Sequence, residues 1–210
     1  MTAKSAASDG QLYIISAPSG AGKTSLIKAL LNIDGTVSLS VSHTTRQPRP
    51  AEKDGSDYHF VSQQSFEELV RNNAFIEHAK VFENYYGTAV SSVSDALTSG
   101  NDLILEIDWQ GANQVRKSFP EALGIFILPP SRQALQQRLS DRAQDDEKTI
   151  RNRMAAAISE MSHYHEFDYL IINDDFDSAL AELQAILISR RLLQARKTYQ
   201  QKTLLAQLIG

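Results

Sequence analysis

Residues 17 to 24, APSGAGKT, set two glycines, a lysine and a hydroxyl side by side in the spacing [AG]xxxxGK[ST]. Main-chain N–H groups can wrap a phosphate only where side chains do not intrude, which accounts for Gly20 and Gly22. Lys23 can then reach the β- and γ-phosphates of a nucleotide, and the Thr24 hydroxyl suits Mg²⁺. A glycine-rich turn without a ligand would explain neither Lys23 nor Thr24. The loop alone does not separate a nucleotide hydrolase from a kinase. A second anion-binding set lies in SVSHTTRQPRP (40 to 50), where Arg46 and Arg49 stand three apart on a chain stiffened by prolines. Two guanidinium forks suit a phosphate monoester, although two loop arginines can equally be solvated. Tyr58 and Tyr86 could add phenolic donors to the same oxygens or serve only in packing.

These groups need a frame. QLYIIS (11 to 16), DLILEI (102 to 107), GIFILPP (124 to 130) and DYLII (168 to 172) read as buried strands separated by helical stretches. The fold class expected is α/β, a mostly parallel sheet flanked by helices. Ligands gather at the carboxyl ends of such strands, which puts Gly20, Asp108, Pro129 and Asn173 along one rim. After Lys23, apolar Leu26, Ile27, Leu30 and Leu31 predict a helix that stops at Gly35.

Two segments break the alternation. Residues 37 to 88 are polar, aromatic and turn-rich, and read as an inserted subdomain with β character; residues 131 to 166 are helical and strongly charged. In the latter, Ile150, Met154, Ile158 and Met161 form the expected inward stripe. The core is thus expected at 11 to 36, 89 to 130 and 167 to 210, with a flexible tail at 1 to 10. A last helix from about Asp177 should dock through Leu180, Leu183, Leu187 and Ile188, and its polar end RKTYQQK is expected to fray.

Of the 210 residues, 42% are hydrophobic and 22% charged, ordinary for a soluble globular protein, and the net charge of -4 argues against a nucleic-acid or anionic-membrane binder. Cysteine is absent, which excludes a disulfide framework and suits the cytoplasm. No segment has the pattern of a signal peptide or membrane span. The five histidines, His43, His59, His78, His163 and His165, show no metal-ligand spacing. A homo-oligomer is left open, with no heptad pattern to specify one.

SAPSGAGKTS, SVSHTTRQPRP, FIEHA, NYYGT, IDWQGA, FILPPS and INDDFD occur in the order and spacing of the bacterial guanylate kinases, which the chain resembles from Leu12 to about Ile188. The resemblance implies a P-loop core, an inserted GMP-binding α+β subdomain and a helical lid at 131 to 166. It also implies transfer of the γ-phosphoryl group of MgATP to GMP, with no other partner required. ATP would then lie on Ala17, Pro18, Ser19, Gly20, Ala21, Gly22, Lys23, Thr24 and Ser25, with Asn173 near the adenine. The GMP phosphate would meet Arg46, Arg49, Tyr58 and Tyr86. Ser42 and Thr88 would address guanine O6 or N7, and Glu77 and Asp108 would accept from N1–H and the amino group. Arg138, Arg142 and Arg153 would join Lys23 and Arg46 as cations around the transferring group. Closure of the insert and the lid toward the core would exclude water as a competing acceptor.

Three positions depart from the family's usual pattern: Ala17 replaces glycine, Glu106 replaces aspartate and so extends the carboxylate by a methylene, and Ala143 follows Arg142 where glycine is usual. Two further readings stay open at this level: a catalytically silent phosphopeptide-binding module, and a P-loop enzyme with another acceptor or none. The first leaves Lys23, Thr24 and the lid arginines unused; the second leaves Glu77 and Asp108 unexplained.

Overall fold

The computed structural model describes residues 10–81, 83–141 and 147–209. Residues 1 to 9 of the expected tail, together with Arg142, Ala143 and the acidic pair at 145 and 146, lie outside them.

The chain enters through β1 (Leu12–Ser16), passes the glycine loop into α1 (Lys23–Ile33) and returns as β2 (Val37–Leu39). It then builds a second layer from β3 (His43–Thr44), β4 (His59–Phe60), α2 (Gln63–Arg71), β5 (Phe75–Val81) and β6 (Asn84–Ala89). Next come α3 (Val90–Thr98), β7 (Asp102–Glu106), α4 (Trp109–Ser118) and β8 (Leu123–Leu128). Helices α5 (Arg132–Ser140) and α6 (Glu147–Met161) and a 3-10 turn (Ser162–Glu166) lead to β9 (Tyr169–Ile172). The chain finishes in α7 (Phe176–Arg191), α8 (Gln194–Gln200) and α9 (Lys202–Ile209).

Five strands form the core sheet in the order β2-β7-β1-β8-β9, every neighbouring pair parallel. Side chains alternate across it, because successive residues of a strand point to opposite faces. Tyr13 and Ile15 go down with Leu26, Ile27 and Leu30 of α1 and Leu183 and Leu187 of α7. Leu12 and Ile14 go up with Val93 of α3 and Ala112 and Val115 of α4. Both faces are therefore covered along β1, β7 and β8, which read as continuous apolar runs for that reason, while the edge strand β9 buries Ile171 and leaves Leu170 and Ile172 exposed. The second sheet, β4-β3-β6-β5, is mixed, and α2 closes it by stacking Phe66 on Phe75 and Tyr85.

Four expectations need correction. The insert does not begin at Val37: β2 pairs with β7 and Ser40 N donates to Ile104 O, so the chain leaves the core sheet only after Ser40. Three residues, VSL, are too few to display a strand pattern. In α6 the buried position is Ala157, not Ile158, which is exposed; Met154, Ala157 and Met161 meet Leu135 and Leu139 of α5, and the small alanine lets the two helices approach. In α7 Ile188 is likewise exposed, and Ala179, Leu183 and Leu187 make the docking face. Finally, RKTYQQK belongs to α8 and the start of α9, and its first residue, Arg196, is tied to the core, while residues 197 to 202 are exposed.

That tie is a ring of charge at the amino-terminal rim of the sheet. Asp102, 1% exposed, accepts from Arg191 Nε at 2.7 Å, from Arg196 Nη2 at 2.7 Å and from the main-chain N–H of Gln11 at 2.9 Å. Arg191 Nη1 also reaches Asp34 at 2.5 Å, so the end of α1, the start of β7 and helices α7 and α8 share one network.

Candidate active site

β1 ends at Ser16, whose hydroxyl donates to Ile107 O at 2.6 Å and so binds the roots of two neighbouring loops together. The chain then turns through Gly20 and Gly22, with φ of 92° and 95°, a left-handed conformation that costs glycine little. Gly22 is the residue before α1, so the first N–H groups of that helix receive no side-chain cap and face the loop's concavity. Space matters as much as conformation here: a Cβ on Gly22 would stand 2.3 Å from Asn173 Nδ2.

Asn173, just beyond β9, is buried and donates Nδ2 to Ala21 O at 2.7 Å. Arg138 of α5 donates Nη2 to Asn173 O at 2.9 Å. Both residues thus stand behind the loop and border a second hollow of about 330 Å³ with Gly20, Gly22, Ser25 and Phe176. Arg138 is on that side and not in the main cleft.

The main cleft, about 600 Å³, opens from the front of the loop toward the second sheet, lined by residues 17 to 20 and 22 to 25, while Ala21 is buried in the core. Lys23 Nζ stands 3.4 Å from Ile107 O and 4.0 Å from Glu106 Oε1, and the Thr24 hydroxyl donates to the same carboxylate oxygen at 2.5 Å. The longer side chain at 106 therefore reaches both. Across the cleft, Ser42, Arg46, Arg49, Tyr58, Glu77 and Tyr86 line the wall supplied by the insert. The two arginines are not equivalent. Arg46 lies over the rings of Tyr58 at 5.5 Å and Phe60 at 5.9 Å, and donates to Gln47 O at 2.7 Å and to Glu52 Oε1 at 2.8 Å. The Arg49 side chain is 69% exposed. Burial lifts the Tyr58 hydroxyl to about 12, so it stays a donor.

Deeper along the insert, the β5–β6 pairing sets Glu77 opposite Thr88. Thr88 is fully buried behind the wall, its hydroxyl 3.3 Å from that of Ser42. Glu77 is 3% exposed, and burial raises its carboxyl to about 7, against the hydrogen bond from Thr88 and with help from the nearby Asp108 charge. Asp108 caps α4 by accepting from Gly111 N at 2.8 Å. A Cβ on Gly111 would stand 2.6 Å from Glu77 Oε2, so the helix start has to be bare for the acid to lie against it. Gln114, a turn further on, bonds both the N–H and the C=O of His78 at 3.1 and 2.9 Å and fixes β5 against α4.

The third wall comes from α6. Thr149, Asn152, Arg153 and Glu160 face the cleft, and Glu160 Oε2 accepts from Ser19 N at 3.3 Å. Burial raises the Glu160 carboxyl as well. At the foot of this helix His163 stacks on Trp109 at 3.6 Å with 6° between the planes, and Glu166 holds His163 Nδ1 and Asn113. Trp109 is therefore a packing residue between α4 and the 3-10 turn.

The cleft thus gathers Lys23, Thr24, Ser42, Arg46, Arg49, Tyr58, Glu77, Tyr86, Asp108 and Arg153, with Thr88 behind the wall, Arg138 and Asn173 behind the loop, and Arg142 outside the described residues. Sequence reasoning missed Glu52, Gly111 and Glu160. Their signals are modest: Glu52 stands three residues past Arg49, Gly111 three past Asp108, and Glu160 two helical turns past Arg153.

Comparison with known proteins places this geometry. A family model described as guanylate kinase matches residues 9–190. Curated relatives include guanylate kinase of Alkalilimnicola ehrlichii, 60% identical over 87% of this chain and 90% of that protein. The guanylate kinase of Methylococcus capsulatus is 56% identical over 96% and 98%. Among solved structures, guanylate kinase from Anaplasma phagocytophilum superimposes with a TM-score of 0.75 at 33% identity, covering 90% of each chain. A shared sequence over nearly the whole length, carried on the same α/β frame, means that the chain belongs to the guanylate kinase family.

Proposed function

We propose that the protein is a cytoplasmic enzyme that transfers the γ-phosphoryl group of MgATP to GMP, giving ADP and GDP. The observation that carries this reading is a single cleft with an amide-lined phosphate loop at one end and Arg46, Tyr58 and Tyr86 at the other, beyond which lies a buried acid. A nucleotide hydrolase needs only the first of these.

The phosphate loop and Lys23 hold the ATP phosphates, and Asn173 and Arg138 support the loop from behind. Ser42, Glu77 and Asp108 read guanine: its N1–H and amino group are adjacent donors, whereas adenine would set an unprotonated N1 against the Glu77 carboxylate. A buried acceptor left unpaired in that way discriminates by about 10⁴ to 10⁵. Arg46, Arg49, Tyr58 and Tyr86 hold the GMP phosphate, and Arg153 supplies positive charge from the lid. An oxygen of that phosphate attacks the γ-phosphorus while the bond to the β-bridging oxygen breaks. The attacking phosphate loses its second proton near pH 6, so at neutral pH it is already an anion and no general base is required. What the chain must supply is alignment and charge neutralisation. The hard oxygen donors at Thr24 and Glu106 suit Mg²⁺; Thr24 would hold the ion, and Glu106, bonded to the Thr24 hydroxyl, would add negative charge beside it. Bound there with ATP, the ion would offset charge on the β- and γ-phosphates.

An ADP-coupled assay with GMP, AMP, CMP, UMP and no acceptor tests the proposal. Turnover with GMP alone is expected. ADP formation at the same rate without an acceptor would identify a hydrolase, and nucleotide binding without turnover would identify a binding module.

A further inference from the structure

The loop from Thr45 to Tyr58 carries both phosphate-facing arginines, yet it contains no helix and only one isolated bridge, between Asp54 and Tyr58. A long cationic side chain on such a loop loses much of its affinity to rotamer entropy unless something fixes it beforehand. We propose that Glu52 is the positioning residue of the GMP-phosphate site, setting the Arg46 guanidinium in its working orientation before substrate arrives. This inference rests on the reading of the cleft as a GMP site.

Both oxygens of the Glu52 carboxylate are engaged. Oε1 accepts from Arg46 Nη2 at 2.8 Å, and Oε2 accepts from the main-chain N–H of Arg49 at 2.7 Å. Its own N–H returns a bond to Arg49 O at 3.0 Å, so residues 46, 49 and 52 form one closed turn. The Glu52 and Arg46 side chains are 15% and 17% exposed, against 69% for Arg49, and the Arg46 bond holds the Glu52 carboxyl below its usual range. Arg46 is thereby pinned on three sides: by Glu52, by Gln47 O and by the Tyr58 ring beneath it. A carboxylate this close to a phosphate site carries an electrostatic penalty when the dianion binds. A gain in orientation accounts for its presence there, and it makes the two arginines different: Arg46 is set in advance by its 2.8 Å bond, whereas the largely exposed Arg49 side chain has only a 4.0 Å ion pair to the same Glu52 oxygen and can fold in over the phosphate.

The test compares wild type, Glu52→Gln and Glu52→Ala in the full chain, with thermal melts to show that each is folded. For Glu52→Ala the KM for GMP should rise about ten- to a hundredfold, the range of a lost charge-assisted hydrogen bond, with the KM for ATP changed less than twofold. Glu52→Gln, which keeps one acceptor, should fall between. The decisive readout is titration with guanosine, which lacks the phosphate: its affinity should stay at the wild-type level in both variants while that of GMP falls. Unchanged GMP affinity, an equal loss for guanosine and GMP, or tighter GMP binding through removal of a competing carboxylate would each overturn the proposal. If wild type itself does not phosphorylate GMP, it is the functional reading that fails, and the coupled assay shows this separately.

Discussion

Glu77 combines a buried acid with a task that requires its carboxylate, and the two make opposite demands. Burial lifts its ionisation from 4.5 to about 7. At pH 6 about one site in ten would then be ionised, and at pH 8 about nine in ten. Affinity for the guanine base should therefore fall about tenfold from pH 8 to pH 6. Guanosine is the ligand of choice, since the phosphate of GMP titrates near pH 6 and would add its own dependence. Stability moves the other way. Below pH 4.5 the acid is protonated in both the folded and unfolded chain; between 4.5 and 7 the folded chain keeps a proton that the unfolded chain has released, so stability falls as pH rises. Above 7 the whole cost is present, about 3 kcal/mol for such a shift. Neutral Glu77→Gln removes that cost: at pH 8 its melting temperature should exceed that of wild type, with the gap closing toward pH 4.5. The same variant should bind guanosine weakly, with no slope between pH 6 and 8. Calorimetric titration of guanosine at pH 6, 7 and 8 and melts from pH 4.5 to 8 check both halves. Wild-type affinity that is flat with pH, or a Glu77→Gln protein no more stable than wild type at pH 8, would refute the reasoning.

Other outcomes follow from the same geometry. Lys23→Ala should lower kcat by about a thousandfold or more in the coupled assay while the protein stays folded, since a positioned charge at the reacting phosphates is lost. Gly111→Ala should raise the KM for GMP and leave the KM for ATP unchanged, because the added methyl lies 2.6 Å from Glu77 Oε2. Arg191→Met should destabilise the fold by about 1.5 to 3 kcal/mol in urea melts, as the buried Asp102 loses one of its two arginines and keeps Arg196 and the Gln11 N–H, yet kcat at a temperature where it remains folded should match wild type.

The sequence announced the frame well where physics made the pattern strong. Three strands buried on both faces, β1, β7 and β8, are continuous apolar runs, β9 adds a shorter one at the edge, and the phosphate loop needs its lysine, hydroxyl and glycines at fixed spacing, so each was legible. β2 was not, because three residues cannot show a period. Ile158 and Ile188 misled for another reason: hydrophobic residues mark a helix face only within about a residue, and Ala157 and Ala179, small and ambiguous in sequence, hold the buried positions. The site followed the same division. Lys23, Arg46 and Arg49 declare their chemistry by charge and spacing. Glu52 and Gly111 do theirs through contacts across a turn or between a helix and a strand, and nothing in their local composition distinguishes them from solvent-facing residues.

Parallel strands give this sheet two ends with separate duties. The phosphate loop, Glu106 and Asp108 emerge where the core strands finish, facing the insert, while the Asp34, Asp102, Arg191 and Arg196 network fastens the opposite margin some five residues away along β7. A lineage adapting to heat or cold can retune the fastening without disturbing the chemistry, and one changing its base preference can rework the far margin without loosening the scaffold.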